Sequence, residues 1–229
     1  MKKYELLKED TVTTPSGKTL YRIKALVAIG LLVSPGDLGG YIEDTKNLDM
    51  SGDAWVYGNA QVYGDAWVCG DARVFGNAWV SGDAQVYDDA WVCGDARVFG
   101  NAWVSGDARV FGDAWVCGDA QVYGDARVFG NAWVCGDAQV YGDAWVCGDA
   151  RVYGDAWVKE KNDIQWFSNV GSEYGTLTVC KAKKGLFVSR GCFAGTLDEF
   201  KAAVSEKHGT NKYGRHYQAL IDAIEIWFS

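Results

Sequence analysis

Alanine and valine recur two residues apart, once every six residues, from Ala54 and Val56 to Ala156 and Val158. Side chains two apart on an extended chain share a face, so each Ala and Val point one way and the large residue between them points the other. Glycine followed by Asp or Asn separates one pair from the next. That dipeptide suits a corner, because glycine takes positive φ without steric cost and a short polar side chain bonds readily to nearby backbone. Eighteen such hexads run across residues 52–159, and Asp88 is the one departure in the glycine column. A unit this short cannot bury its own apolar face and must stack on copies of itself. Three sides close a triangular coil of eighteen residues. Coils about 4.8 Å apart then give about six regular turns, a prism roughly 29 Å long. Each valine of the internal column contributes about 1.5–3 kcal/mol.

The period fails on both sides of this stretch. In residues 1–51, two β-rich runs (11–14 and 19–23) flank Pro15, Ser16, Gly17 and Lys18, which predicts a hairpin within an N-terminal β cap. Residues 46–51 keep the hexad register, with Leu48 in the place of Ala and Met50 in the place of Val, as an atypical first rung. Residues 160–229 predict a small α+β module with strands at 176–180 and 186–189. Thr196 with Glu199 reads as a capping box opening a helix striped by Leu197, Phe200 and Val204 and stopped at Gly209. A second helix from about Gly214 buries Tyr217, Leu220, Ile221, Ile224 and Trp227 or Phe228. The module is expected to cover the edge of the last coil.

An aliphatic residue with a small residue two positions earlier, repeated every six, resembles the hexapeptide-repeat family, whose fold is the left-handed parallel β-helix. The handedness is what the resemblance implies. The run Gly36, Asp37, Leu38, Gly39, Gly40, Tyr41, Ile42, Glu43, followed by Asn47, Leu48 and the first hexad, is similar to bacterial and phage proteins labelled polymer-forming cytoskeletal or acyltransferase. That likeness implies a fold and a bacterial or phage setting, without an established chemistry.

The formal net charge is −8 and is unevenly placed. Residues 52–158 hold fifteen Asp and five Arg, a net of −10, while the first 51 residues balance and the last 71 carry +2. An acidic prism repels a nucleic-acid backbone, so no nucleic acid is expected as a partner. Seven cysteines without CxxC spacing include Cys69, Cys93, Cys117, Cys135 and Cys147, all in a hexad position that Tyr, Phe or Ser also occupies. They read as filler in a reducing compartment, with Cys117 and Cys135 the one pair stacked in neighbouring coils. Glu5, Glu9 and Asp10 argue against a signal peptide, and the apolar run 25–33 is too short to cross a bilayer, so the expected setting is the cytoplasm with no membrane partner.

Candidate chemistry is sparse, and neither a cofactor nor a metal site is expected. Family acyltransferases use a catalytic histidine and a loop leaving the coils; here no histidine and no insertion interrupt the hexads, and His208 and His216 lie near the C-terminus. A cysteine nucleophile at Cys192 would sit before a helix start, with His208 about 16 Å along the helix axis. Arg190, Gly191, Cys192, Thr196 and His208 are instead candidates for holding an anion, a nucleotide or a partner. The six Asp at 53, 71, 89, 107, 125 and 143 form one corner ladder, and the other two corners mix Asp with Asn59, Asn77, Asn131 and Asn101. Each corner Asp or Asn is read as accepting a backbone N–H in its own turn rather than as a calcium ligand. The outward walls are richer. One carries Trp55, Arg73, Trp91, Arg109, Arg127 and Trp145; a second Gln61, Trp79, Arg97, Trp115, Trp133 and Arg151; the third Trp67, Gln85, Trp103, Gln121, Gln139 and Trp157. Residues 66–84 recur unchanged at 90–108, a shift of twenty-four that moves the copy to a different wall, as expected of building material. The sequence therefore predicts a non-enzymatic scaffold that forms homo-oligomers through its Trp walls, a trimer among them, or offers its C-terminal module to a protein partner. An acyltransferase is the alternative.

Overall fold

In the computed structural model, which describes residues 2–229, every hexad forms a two-residue strand, from Trp55–Val56 to Trp157–Val158. Within the ladders each strand pairs in parallel with those eighteen residues before and after it; Trp91 lies between Arg73 and Arg109, and Val92 between Val74 and Val110. The strands fall into three ladders of six rungs, the three walls expected from the period. Every hexad Ala and Val is at most 1% exposed. The alternation of small and branched side chains thus fills a column so narrow that no other apolar layer is needed. The protein is a β-solenoid.

Strands β1 (Tyr4–Thr13), β2 (Thr19–Ala25) and β3 (Leu38–Ile42) begin the chain. The predicted hairpin forms between β1 and β2 and continues, antiparallel, into β3. The last of these then pairs in parallel with Gln61–Val62, so the cap is an extension of the second wall. Here the predicted register is corrected. Ile42 lies opposite Val62 and Leu48 opposite Val68, a turn of twenty residues. Leu48 thus occupies a valine place, while Met50 is 38% exposed in a widened corner. This wider coil brings the solenoid to about seven turns rather than six. A second correction follows. Trp55, expected on the outer surface, is 1% exposed. Tyr4 packs edge-on against its indole, 6.1 Å between ring centres, and donates its hydroxyl to the Leu48 carbonyl at 2.7 Å. The apolar run 25–33 folds as a plug with Ala25, Ile29 and Val33 buried.

Four antiparallel strands follow the last rung, in chain order: β4 (Ile164–Val170), β5 (Gly175–Lys181), β6 (Leu186–Arg190) and β7 (Phe193–Thr196). The sequence predicts only β5 and β6. Helices α1 (Leu197–His208) and α2 (Lys212–Trp227) close the chain, with the predicted Thr196 capping box and Gly209 stop in place. Tyr217, Ile221 and Ile224 are buried as expected and Leu220 and Phe228 are partly buried against the same core, while Trp227, the other choice at the helix end, is 52% exposed. Strand β5 shows why the module sits where it does. Leu177 and Val179 face the helices, within a core that includes Phe200, Tyr217 and Ile224. The alternate residues Thr178 and Cys180 face the last coil. There the Thr178 hydroxyl accepts the Arg151 N–H at 3.0 Å, and Ser189 donates to the Arg151 carbonyl at 2.8 Å. Buried hydroxyls thereby satisfy backbone groups that the final rung leaves without a next coil. No helix is long and apolar enough to cross a membrane among the described residues.

The junction between solenoid and module turns on Asp163. Its carboxylate accepts the N–H groups of Lys159 and Glu160 at 3.0 and 2.9 Å and pairs with Lys181 at 2.6 Å. Burial acts to raise its pKa, but Lys181 and the two N–H groups outweigh that and hold it below the usual carboxylate value. A lowered folded pKa contributes stability that is full above the unfolded value, near 3.9, and lost as pH falls through the folded one. Asp163→Ala orphans the two N–H groups and should cost about 1–3 kcal/mol in urea unfolding at pH 7. The difference from wild type should shrink as the pH is lowered below about 4.

Candidate functional site: the outer walls and a cleft in the C-terminal module

On the first two walls the stacked side chains satisfy one another. Parallel pairing puts Arg97 between Trp79 and Trp115, 5.0 Å from each ring centre. Trp115 and Trp133 stack face to face at 4.7 Å, and Arg151 covers the far face of Trp133 at 5.2 Å. On the first wall Arg73 and Arg109 flank Trp91 at 5.4 and 4.9 Å. Each such contact is worth about 0.5–1 kcal/mol at an exposed site, and it leaves indole edges rather than faces to solvent. The third wall differs. Trp67, Trp103 and Trp157 are each 42% exposed, and the residues between them are Gln85, Gln121 and Gln139; Trp145 of the first wall is 37% exposed but is covered by Arg127 and Lys161. Of the eight residues expected to mediate association, Trp67 and Trp103 are therefore openly displayed, Trp55 is buried, and Arg73, Trp79, Trp91, Trp115 and Trp133 are engaged within their own walls.

The corner residues also bond between coils. Asn77, Asn101 and Asn131 donate to Asp95, Asp119 and Asp149 of the next coil at 3.1, 2.8 and 3.0 Å. The expectation that each accepts an N–H of its own turn is thus replaced by side-chain ladders at a spacing of eighteen. Asp71 and Asp88 do accept backbone N–H groups, but from Asp53 and Gly106 of adjacent coils. Among the described residues no cluster of three or more His, Cys, Asp or Glu is arranged to hold a metal ion. The reading of the hexad cysteines as filler is corrected for one pair: Cys117 and Cys135 are joined by a disulfide, because equivalent positions in successive coils bring their Cα atoms within 4.6 Å. The other five cysteines are thiols. Burial pushes Cys69 up to about 11 and the fully buried Cys180 up to about 12, so neither thiol is poised as a nucleophile.

The C-terminal module brings together four of its five singled-out residues. Arg190, Gly191, Cys192 and His208 line one cleft of about 330 Å³, along with Ser172, Glu173, Phe193, Phe200, Ala203, Val204, Lys207 and Tyr217. The sequence separates Cys192 from His208 by a whole helix; α1 runs back along β7 and closes that distance. Thr196 lies elsewhere. It pairs with Phe187 whereas Arg190 pairs with Phe193, three residues or about 10 Å along the hairpin. Its hydroxyl and N–H are engaged with Glu199. Cys192 is exposed, in the β6–β7 turn, and strand β7 intervenes before the helix, so no helix start acts on it. Lys207, Glu173 and Tyr217 escape sequence reasoning, since only the fold of β4 and α2 onto α1 places them there.

Arg190 is held from several sides. It donates to the Val170 carbonyl, and its guanidinium packs where Gly171 and Gly175 leave room: a Cβ on Gly175 would come within 2.6 Å of it. Its ε nitrogen is buried without a hydrogen-bond partner. A second cleft, of about 350 Å³, lies on the other side of Arg190 against Trp133, Asp149, Arg151, Tyr174 and Thr176. No histidine or inserted loop enters the coils between Trp55 and Val158, so the acyl-transfer arrangement has no counterpart there.

Continuous rungs, closed walls and a buried Ala–Val column define the chain as a β-solenoid repeat protein. Its coils are similar to the YdcK beta solenoid repeat, whose family model matches residues 66–82, 90–106, 102–118, 120–136 and 144–160. No curated protein matches the chain.

Proposed function

We propose that this chain is a non-enzymatic scaffold of the hexapeptide-repeat kind that self-associates side by side through its third wall and leaves its C-terminal module open to a partner. One observation carries the reading: Trp67, Trp103 and Trp157 are exposed indoles of a wall whose positions between Ala and Val hold only Trp and Gln, with Lys159 at its last rung the one outward charge. Joining two copies there buries aromatic and amide surface without desolvating arginine, which the other walls would require. The self-complementary geometry is that of a two-fold pair. The corners on either side of this wall are acidic, with Asp65, Asp83, Asp119, Asp137 and Asp155 on one and Asp71, Asp89, Asp107, Asp125 and Asp143 on the other. Facing rims of like charge repel, and salt screens that repulsion.

Mass measurement by light scattering tests the proposal. The wild type is expected to exceed its 25.0 kDa monomer mass, and more so as salt rises from about 0.05 to 0.5 M. Substitution of Trp67, Trp103 and Trp157 by Ser should return the monomer with unchanged β circular dichroism. The same changes at Trp79, Trp115 and Trp133 should leave the assembly. A monomeric wild type at about 100 μM, below the affinity of ordinary interfaces, sinks the idea.

A further inference from the structure

We propose that the cleft between the β6–β7 turn and α1 binds a small aromatic oxyanion, with the Arg190 guanidinium as its receptor. The inference goes beyond the scaffold reading and stands whether or not the walls associate.

Three observations lead to it. The first is the state of Arg190. It is a half-buried cation that makes no ion pair among the described residues, and its ε nitrogen is enclosed without an acceptor. Burying a charge is costly unless a counter-charge or full hydrogen bonding offsets it. The backbone nonetheless makes room for it, since a Cβ at Gly175 would come within 2.6 Å of the guanidinium. A fixed fork of donors lacking a carboxylate is suited to an incoming oxyanion.

The second is the sign of the cleft. Arg190 and Lys207 face it against the single carboxylate of Glu173. That local excess of positive charge sits on a chain of net charge −8. The protein as a whole repels anions, so an anion held here is held by local geometry and not by general attraction.

The third is the shape. Phe193, Phe200 and Val204 supply an apolar floor beside the cations, with Phe200 and Val204 almost fully buried and Phe193 packed against Phe200 at 5.2 Å. A volume of about 330 Å³ is at the small end for organic ligands. Cations and aromatic rings lining the same cleft fit a single-ring aromatic carrying a phosphate or carboxylate.

Calorimetry of the full chain with phenyl phosphate tests this. Wild type should bind one equivalent saturably, at least about tenfold more tightly than inorganic phosphate, since the ring adds apolar burial. Arg190→Gln should weaken binding about tenfold or more, and Lys207→Gln about threefold. Ala203→Trp, which fills the cleft, should abolish it. Arg151→Gln, which alters only the neighbouring cleft, should leave it unchanged. Arg190→Gln also removes the contact to Val170, so Lys207→Gln and Ala203→Trp decide the matter if that variant does not fold. The proposal fails if no saturable heat appears up to about 10 mM, an affinity too weak for a built site. It fails equally if binding survives Ala203→Trp, or is lost with Arg151→Gln.

Discussion

Trp55→Ala is expected to destabilise the protein by about 3–5 kcal/mol, the cost of emptying a fully buried indole site. The same substitution at Trp103 should cost about 1 kcal/mol or less. Both residues occupy the same hexad position, so local propensity cannot distinguish them. The difference lies in the N-terminal strand, which lays Tyr4 against Trp55 and leaves Trp103 42% exposed. Urea midpoints for the two variants provide the comparison. Equal losses would mean that the N-terminal strand does not cover the first rung in solution.

The second large effect is expected at a corner. Gly112 has φ +72°, and a Cβ there would stand 3.1 Å from the Gly130 nitrogen and 3.2 Å from its oxygen. Gly112→Val combines the left-handed backbone penalty, about 1–2 kcal/mol before β-branching is counted, with overpacking of about 1–3 kcal/mol. A total near 3–4 kcal/mol should appear as a lowered urea midpoint. Gly112→Asp should cost only about 1 kcal/mol, because Asp tolerates this conformation. The chain already contains that solution: Asp88 adopts φ 57°, and its carboxylate accepts the Gly106 N–H of the next coil at 3.2 Å. If valine and aspartate were equally damaging, close approach of the coils rather than backbone strain would be the controlling factor.

The solenoid was legible because its signal is local and repeated. Two residues per wall and glycine at each corner specify strand, turn and stacking together, and every hexad repeats the message. What escaped was information held between distant segments. Leu48 and Met50 satisfy the hexad pattern as well as Leu48 alone satisfies the true one, so only the pairing of Leu48 with Val68 distinguishes the twenty-residue turn. Strand β7 reads Phe-Ala-Gly-Thr, a composition with weak strand preference. It forms because β6 offers an edge and the turn at Gly191 returns the chain to it. The cleft was legible in part. Arg190, Gly191 and Cys192 stand out as a loop, and His208 as one of two histidines, but their meeting depends on α1 doubling back. Thr196 belongs to helix capping, and the sequence carried that reading alongside the other.

Unbroken rungs make chain length an angular coordinate. Eighteen residues complete a circuit, so each added or deleted hexad advances the following segment by one third of a revolution and about 1.6 Å along the axis. A segment duplicated in units of six, as residues 66–84 and 90–108 are, therefore rotates everything downstream as well as lengthening the rod. The cleft at the far end faces one of only three compass directions relative to the N-terminal hairpin, and the number of hexads selects which.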